Sequence, residues 1–206
     1  IIMALSGGTS YQLLEKDIQM ALSDNDVKAL FFDVDSPGGS IDYMVSVTDI
    51  IYNARNGNKP LMTFADGLMA SAAYHIGSAS DYIVAANNTT QIGSIGVIMP
   101  PHFDFSKKYA KDDIKVTMFY SGKYKATPNR YTELSEDDKD YIQSKLDFIY
   151  SIFVDSVSKH RNVPVDTVNR DMAEGRIFIG EQAINSGLID EILTRSQAIN
   201  RLKEMI

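Results

Sequence analysis

The 206-residue chain contains no cysteine. That removes thiol nucleophiles, disulfide frameworks, iron–sulfur clusters and cysteine-type zinc sites together, and leaves the redox compartment undetermined. Positive charge is not in excess either: 20 Lys plus Arg stand against 27 Asp plus Glu, giving a formal charge of −7 and a pI near 4.9. Such a balance offers no electrostatic footprint for gripping phosphates, so nucleic acid is not expected as a partner. No apolar run approaches the roughly 18 residues of a membrane span, and no basic segment followed by an apolar stretch opens the chain as a signal peptide would. As it stands the chain reads as soluble. It begins at Ile1 and not at methionine, which leaves open an anchor or leader ahead of it. Internal repeats, biased tracts and linker-like segments are also missing.

What is there suits one domain with a substantial core: 44% hydrophobic and 23% charged residues, as in globular proteins. The expected organisation is a single domain over 1–206, with a core over about 1–130 and a long helix and closing segment over about 131–206. Leu13, Leu14, Ile18 and Leu22 recur near helical spacing, and Val27 to Val34 reads as a buried strand. After Asp35-Ser36-Pro37-Gly38-Gly39-Ser40, the positions Ile41, Val45, Thr48 and Tyr52 suggest a helical face that Gly57 and Pro60 end. A second strand, Leu61 to Ala65, is expected to stop at Asp66-Gly67, with a small-residue helix beginning near Ser71. Further strands are expected at Asp81 to Ala86 and Lys115 to Tyr120, with a polar helix from about Phe105 between them. Ser135 to His160 reads as one long helix with acidic residues in its first turn. A short helix after Pro164, a strand at Arg176 to Ile179 and a closing amphipathic helix complete the pattern. Alternating strand, turn and helix argue for an α/β fold with a largely parallel sheet.

Two segments carry chemistry. In Ser36-Pro37-Gly38-Gly39 a strand end runs into two glycines, so backbone N–H groups could approach a developing negative charge with no Cβ in the way. The plain alternative is a tight turn. In Met69-Ala70-Ser71-Ala72-Ala73-Tyr74 a serine among small residues sits at a helix start, where the helix dipole and the Ala72 N–H would favour an oxyanion. Here the plain alternative is an N-cap. None of His75, His102 and His160 shows triad spacing to a serine and a carboxylate, and His160 reads as a charge at a helix C-terminus. A lysine serves as base only when neutral, which requires burial to lower its pKa from about 10.4 to about 7 to 8. Spacing alone does not choose among Lys107, Lys108, Lys111, Lys115, Lys123 and Lys125.

These segments, with Gln91-Ile92-Gly93-Ser94-Ile95-Gly96-Val97 and Tyr120-Ser121-Gly122-Lys123-Tyr124-Lys125 after them in the same order, resemble the signal peptide peptidase family of serine proteases. The likeness extends to Gly175-Arg176-Ile177-Phe178-Ile179-Gly180 and Ala183 to Asp190, and is nearest to the phage and prophage branch that matures viral heads. The resemblance implies a Clp-protease/crotonase-like spiral of βαβ units with a C-terminal helical segment, and a Ser/Lys dyad that needs no cofactor and no metal. Carried over by position, Ser71 is the nucleophile, Lys125 the general base, the Gly39 and Ala72 amides the oxyanion donors, and Ser94 the residue that orients the lysine. Two departures stand out: Ala72-Ala73 replaces the usual small Gly-Gly after the serine, and Lys123 lies two residues from Lys125, so a shifted loop would exchange their roles.

The family implies a serine endopeptidase acting on a peptide or unfolded protein, with phage capsid or scaffold proteins or signal-peptide remnants as substrates. It also implies a homo-oligomer. Its setting is cytoplasmic in the phage-like reading, and membrane-associated if an anchor was removed. Two other functions remain: a crotonase-like thioester enzyme, and a catalytically degenerate scaffold subunit. Neither requires Ser71, Ser94 and Lys125 together.

Overall fold

The run Leu61-Met62-Thr63-Phe64-Ala65 lacks the polar alternation of a half-exposed strand, the mark of a strand covered on both faces. In the computed structural model, which describes residues 9–206, this run opens the central strand of a six-stranded sheet, and all five residues are buried. The chain divides into two compact units, one made of the residues up to Gly96 with Ile152–Ile206, the other of Val97–Ser151.

In the first unit, α1 (Tyr11–Ser23) precedes β1 (Leu30–Ser36), followed by α2 (Met44–Ala54), β2 (Leu61–Ala70), α3 (Ala72–Gly77), β3 (Tyr82–Ala85) and β4 (Gln91–Gly93). β1 and β3 both pair in parallel with the first half of β2, and β4 pairs in parallel with its second half, Leu68 to Ala70. The largely parallel α/β sheet expected from the sequence is therefore present. Alternation along β2 feeds two cores. Leu61 joins Ile18, Leu30, Val47 and Ile51 beneath α1 and α2. Met62 and Phe64 join Val84, Ala198 and Leu202.

Several boundaries differ from expectation. β2 does not stop at Asp66-Gly67; Val34 faces Ala65 but Ser36 faces Met69, so these residues form a bulge inside a continuing strand. Gly67 takes φ +100°, Leu68 N–H donates to Asp35 Oδ1 at 3.2 Å, and Arg195 pairs with both Asp33 and Asp66. The buried residues of α2 are Met44, Val47, Thr48 and Ile51, while Ile41 and Val45 are exposed.

The second unit holds α4 (Ser106–Lys111) and the start of α5 (Glu136–Arg161), whose residues from Ile152 onward belong to the first unit. α5 begins as expected: Ser135 Oγ accepts from Asp138 N–H at 3.2 Å, Ser135 N–H donates to Asp138 Oδ2 at 3.1 Å, and Glu136, Asp137 and Asp138 fill the first turn. The strand expected at Lys115 to Tyr120 does not form. Among the described residues its β-branched and aromatic side chains find no pairing strand, and Val116, Phe119 and Tyr120 are exposed.

After α5, α6 (Val165–Thr167) runs into a π-helical turn, Val168–Met172, and β5 (Ile177–Ile179) pairs antiparallel with β4. α7 (Glu181–Asn185) and β6 (Glu191–Ile192), which extends β3 in parallel, were not apparent in the sequence. α8 (Arg195–Glu204) closes the chain behind a Thr194/Gln197 capping box, and supplies Ala198 and Leu202 to the second core.

Candidate active site

Ala70 ends β2 and Ala72 opens α3, so Ser71 alone turns strand into helix. It does so at φ +52° and ψ −127°, a conformation that costs a residue with a side chain about 1–3 kcal/mol and persists only when its surroundings impose it. They do: Ser71 N–H donates to Gly93 O at 2.8 Å, and Ser71 O accepts from His75 N–H at 2.9 Å. The hydroxyl makes no capping hydrogen bond to α3. Ser71 thus occupies the N-cap position without doing the usual work of an N-cap.

The Pro37-Gly38-Gly39 turn meets this serine directly. At Gly38, with φ +111°, an added Cβ would stand 2.7 Å from Ser71 Cβ and 3.1 Å from Ala72 N. Only a residue without a side chain permits the approach. Tyr11 of α1 steadies the turn by donating its hydroxyl to Ser40 O at 2.7 Å, and Gly38 N–H reaches Ser36 Oγ at 3.3 Å. Among the described residues, the Gly39 and Ala72 N–H groups have no hydrogen-bond acceptor. Ala72 N–H is one of the first-turn amides that a helix leaves unpaired.

Ser94 follows the residue whose carbonyl holds Ser71. It is half-buried at φ +52°, with its N–H donated to Arg176 O at 2.7 Å. The first unit thus brings together Ser71, Ala72, the glycine turn and the Gly93-Ser94 strand end. Gly38, whose contact is the tightest of these, and Tyr11 were missed in the sequence. Gly38 was legible only as half of a glycine pair, and nothing in the spacing marked Tyr11.

Lys125 belongs to the second unit. Its loop is docked on the first turns of α5: Lys123 pairs with Asp137, Thr127 Oγ1 donates to Asp138 Oδ1 at 2.7 Å, and the Tyr124 ring stacks on Tyr141 at 4.2 Å. Lys125 N–H closes a turn on Gly122 O at 3.0 Å, while its side chain is exposed and forms no ion pair among the described residues. The hydrogen bond to Asp137 raises the Lys123 pKa, assisted by the Tyr124 hydroxyl. That favours the charged ammonium, the reverse of what a base requires.

The histidines take other roles. His102 lies in the second unit with Nε2 at 2.5 Å from Asn129 O. His160 is not an exposed terminal charge but is buried, with burial and neighbouring cations lowering its pKa to about 3. His75 is fully buried and its pKa falls to about 4 through desolvation.

A strained serine at a strand-to-helix turn, beside unpaired amides on a parallel α/β sheet, is what acyl transfer by a serine hydrolase requires. Peptidase family S49 matches residues 53–206, and the chain belongs to this family, whose fold is of the Clp-protease/crotonase type. It is 30% identical over 201 residues to capsid assembly protease C of Escherichia phage lambda, covering 98% of this chain and 45% of that protein. It is 31% identical to the head-tail preconnector protein GP5 of Enterobacteria phage P21, covering 95% of this chain and 38% of the other. It is also 31% identical to protease 4 of Haemophilus influenzae, covering 97% of this chain and 31% of the other. The chain spans less than half the length of these three relatives.

Proposed function

We propose that the chain is a serine endopeptidase in which Ser71 attacks a peptide carbonyl, neutral Lys125 takes the serine proton, and the Gly39 and Ala72 amides bind the oxyanion. Ser94 orients the lysine; its ammonium gives the proton to the leaving amine, and the neutral lysine then takes a proton from the water that attacks the acyl-enzyme and returns it to Ser71 Oγ as the acyl bond breaks. The observation that carries this reading is the backbone of Ser71: a positive φ held from both sides, a hydroxyl left out of capping, and Gly38 packed against it. A scaffold subunit would gain nothing from such strain. A thioester enzyme of this fold would need the glycine turn but not the serine.

Lys125 is preferred to Lys123 as base because the Lys123 ammonium is committed to Asp137. A capsid or scaffold protein is the favoured substrate, since two relatives are named for phage capsid assembly and head-tail connection; the setting would then be the cytoplasm of an infected or lysogenic cell. The exposed Ile98, Phe103, Phe119 and Phe148 of the second unit suit burial against a further copy, which supports a homo-oligomer.

The test is incubation with an unfolded protein, followed by mass spectrometry of the fragments and of the chain after treatment with a fluorophosphonate. Internal cleavage together with phosphonylation of Ser71 is the expected result. An intact, assembled chain that neither cuts nor is labelled would refute the peptidase.

A further inference from the structure

His75 lies one helical turn beyond Ser71, and the proposed mechanism does not use it. Its main-chain N–H holds the Ser71 carbonyl, and its Nδ1 lies 2.8 Å from Thr48 Oγ1 on α2. The Thr48 hydroxyl has one proton and donates it to Met44 O at 2.8 Å. Thr48 Oγ1 therefore accepts, and Nδ1 carries the imidazole hydrogen. Nε2 is left as a buried acceptor with no partner among the described residues, and the centre of the His75 ring lies 5.0 Å from that of Phe153 and 5.9 Å from that of His160. For packing alone, a leucine would fill this place without leaving an orphan acceptor.

The pattern repeats one layer back. Ser78 Oγ donates to His75 O at 2.8 Å, so it accepts from Nδ1–H of His160 at 2.8 Å. Two neutral histidines thus link α5 to α3 and α3 to α2 through hydroxyls whose protons are already committed. The charges around the pair are cationic or internally paired. Arg55, at the C-cap of α2, donates to His160 O and stands 3.8 Å from Asp81; Lys159 of α5 lies over the Tyr52 ring; Arg161 of α5 is bound to Asp190.

We propose that His75 is a positioning residue for the nucleophile: by tying α3 to α2, the helix that follows the Pro37-Gly38-Gly39 turn, it sets Ser71 against the oxyanion turn. The proposal rests on Ser71 being the nucleophile. Gly38 tolerates almost no slack against Ser71, so a small shift of α3 relative to α2 changes the geometry on which acyl transfer depends.

The test compares wild type, Thr48→Val and Thr48→Ser by the rate at which a fluorophosphonate labels Ser71, by kcat and KM on an unfolded protein, and by thermal unfolding. Imidazole nitrogen NMR of the wild type runs alongside. The expected result is that His75 and His160 carry the hydrogen on Nδ1. Thr48→Val should lower labelling and kcat about tenfold with KM within about twofold, and Thr48→Ser should recover most of the loss. A hydrogen on Nε2 of His75 overturns the proposal without any variant. Labelling of Thr48→Val as fast as wild type also overturns it and leaves the peptidase standing. A wild type in which Ser71 is never labelled removes the nucleophile, and the positioning role falls with it.

Discussion

The two units hold the side chains of the proposed dyad in opposite ways. In the first, Ser71 is held by backbone: its N–H and C=O are both bonded, Gly38 leaves no room for a side chain against its Cβ, and α3 behind it is tied to α2 by a buried histidine. In the second, the side chains of Lys123, Tyr124 and Thr127 contact α5, while the exposed Lys125 side chain forms no ion pair among the described residues. A serine needs placement against the carbonyl as well as a base to take its proton, and the strained turn at the end of β2 supplies the placement. A lysine becomes a base only by losing its proton, which requires an environment that excludes water. In the proposed dyad, the contrast therefore sets a serine whose backbone is fixed against a lysine whose activation would depend on shielding.

The largest expected effects remove the reactive groups. Ser71→Ala and Lys125→Ala should each lower turnover by about a thousandfold or more while the circular dichroism spectrum stays unchanged. Gly38→Ala comes next: the added methyl would fall 2.7 Å from Ser71 Cβ at φ +111°. Cleavage should drop about a hundredfold and stability by about 1–3 kcal/mol, read from steady-state rates and urea unfolding. If this variant kept full activity, the close packing would be irrelevant to catalysis.

A smaller effect separates the units by pH. Burial holds His75 near 4 and His160 near 3, below the 6.5 of a solvated imidazole. The unfolded chain therefore takes up protons as pH falls through 6.5 while the folded chain does not. Their contribution to stability is complete above about pH 6.5 and declines as pH drops toward 4, by roughly 3 kcal/mol for His75 alone. Hydrogen exchange at pH 4.5 should show α3 and the end of α5 losing protection before the start of α5 does. The smallest effect belongs to Lys123→Ala, which breaks an exposed ion pair and should leave turnover within about twofold; loss comparable to Lys125→Ala would exchange the two lysines' roles.

Legibility followed the same division. Most strands and helices of the first unit fall within a few residues of expectation, because burial on both sheet faces writes apolar runs into the sequence. Beyond the short α7 and β6, the error there came from turn chemistry: Asp66-Gly67 looks like a strand end but is a bulge, fixed by Asp35 and by Arg195 from far along the chain. In the second unit, Val116, Phe119 and Tyr120 carry strand propensity with no strand to pair with. At the candidate site, motif order singled out Ser71, Ala72 and Ser94, and the structure places them at the ends of β2 and β4 and the start of α3. His75 was not, because its side-chain partner Thr48 lies on α2, 27 residues earlier, and no spacing announces a bond between them.

Cleavage of an unfolded protein by wild type, Ser71→Ala and Lys125→Ala, side by side from pH 6 to 10 with oligomeric state recorded, tests the central claim most directly. The account predicts wild-type activity that rises with pH and disappears in both variants at unchanged assembly. Substantial cleavage by either variant, or none by an assembled wild type, would contradict it.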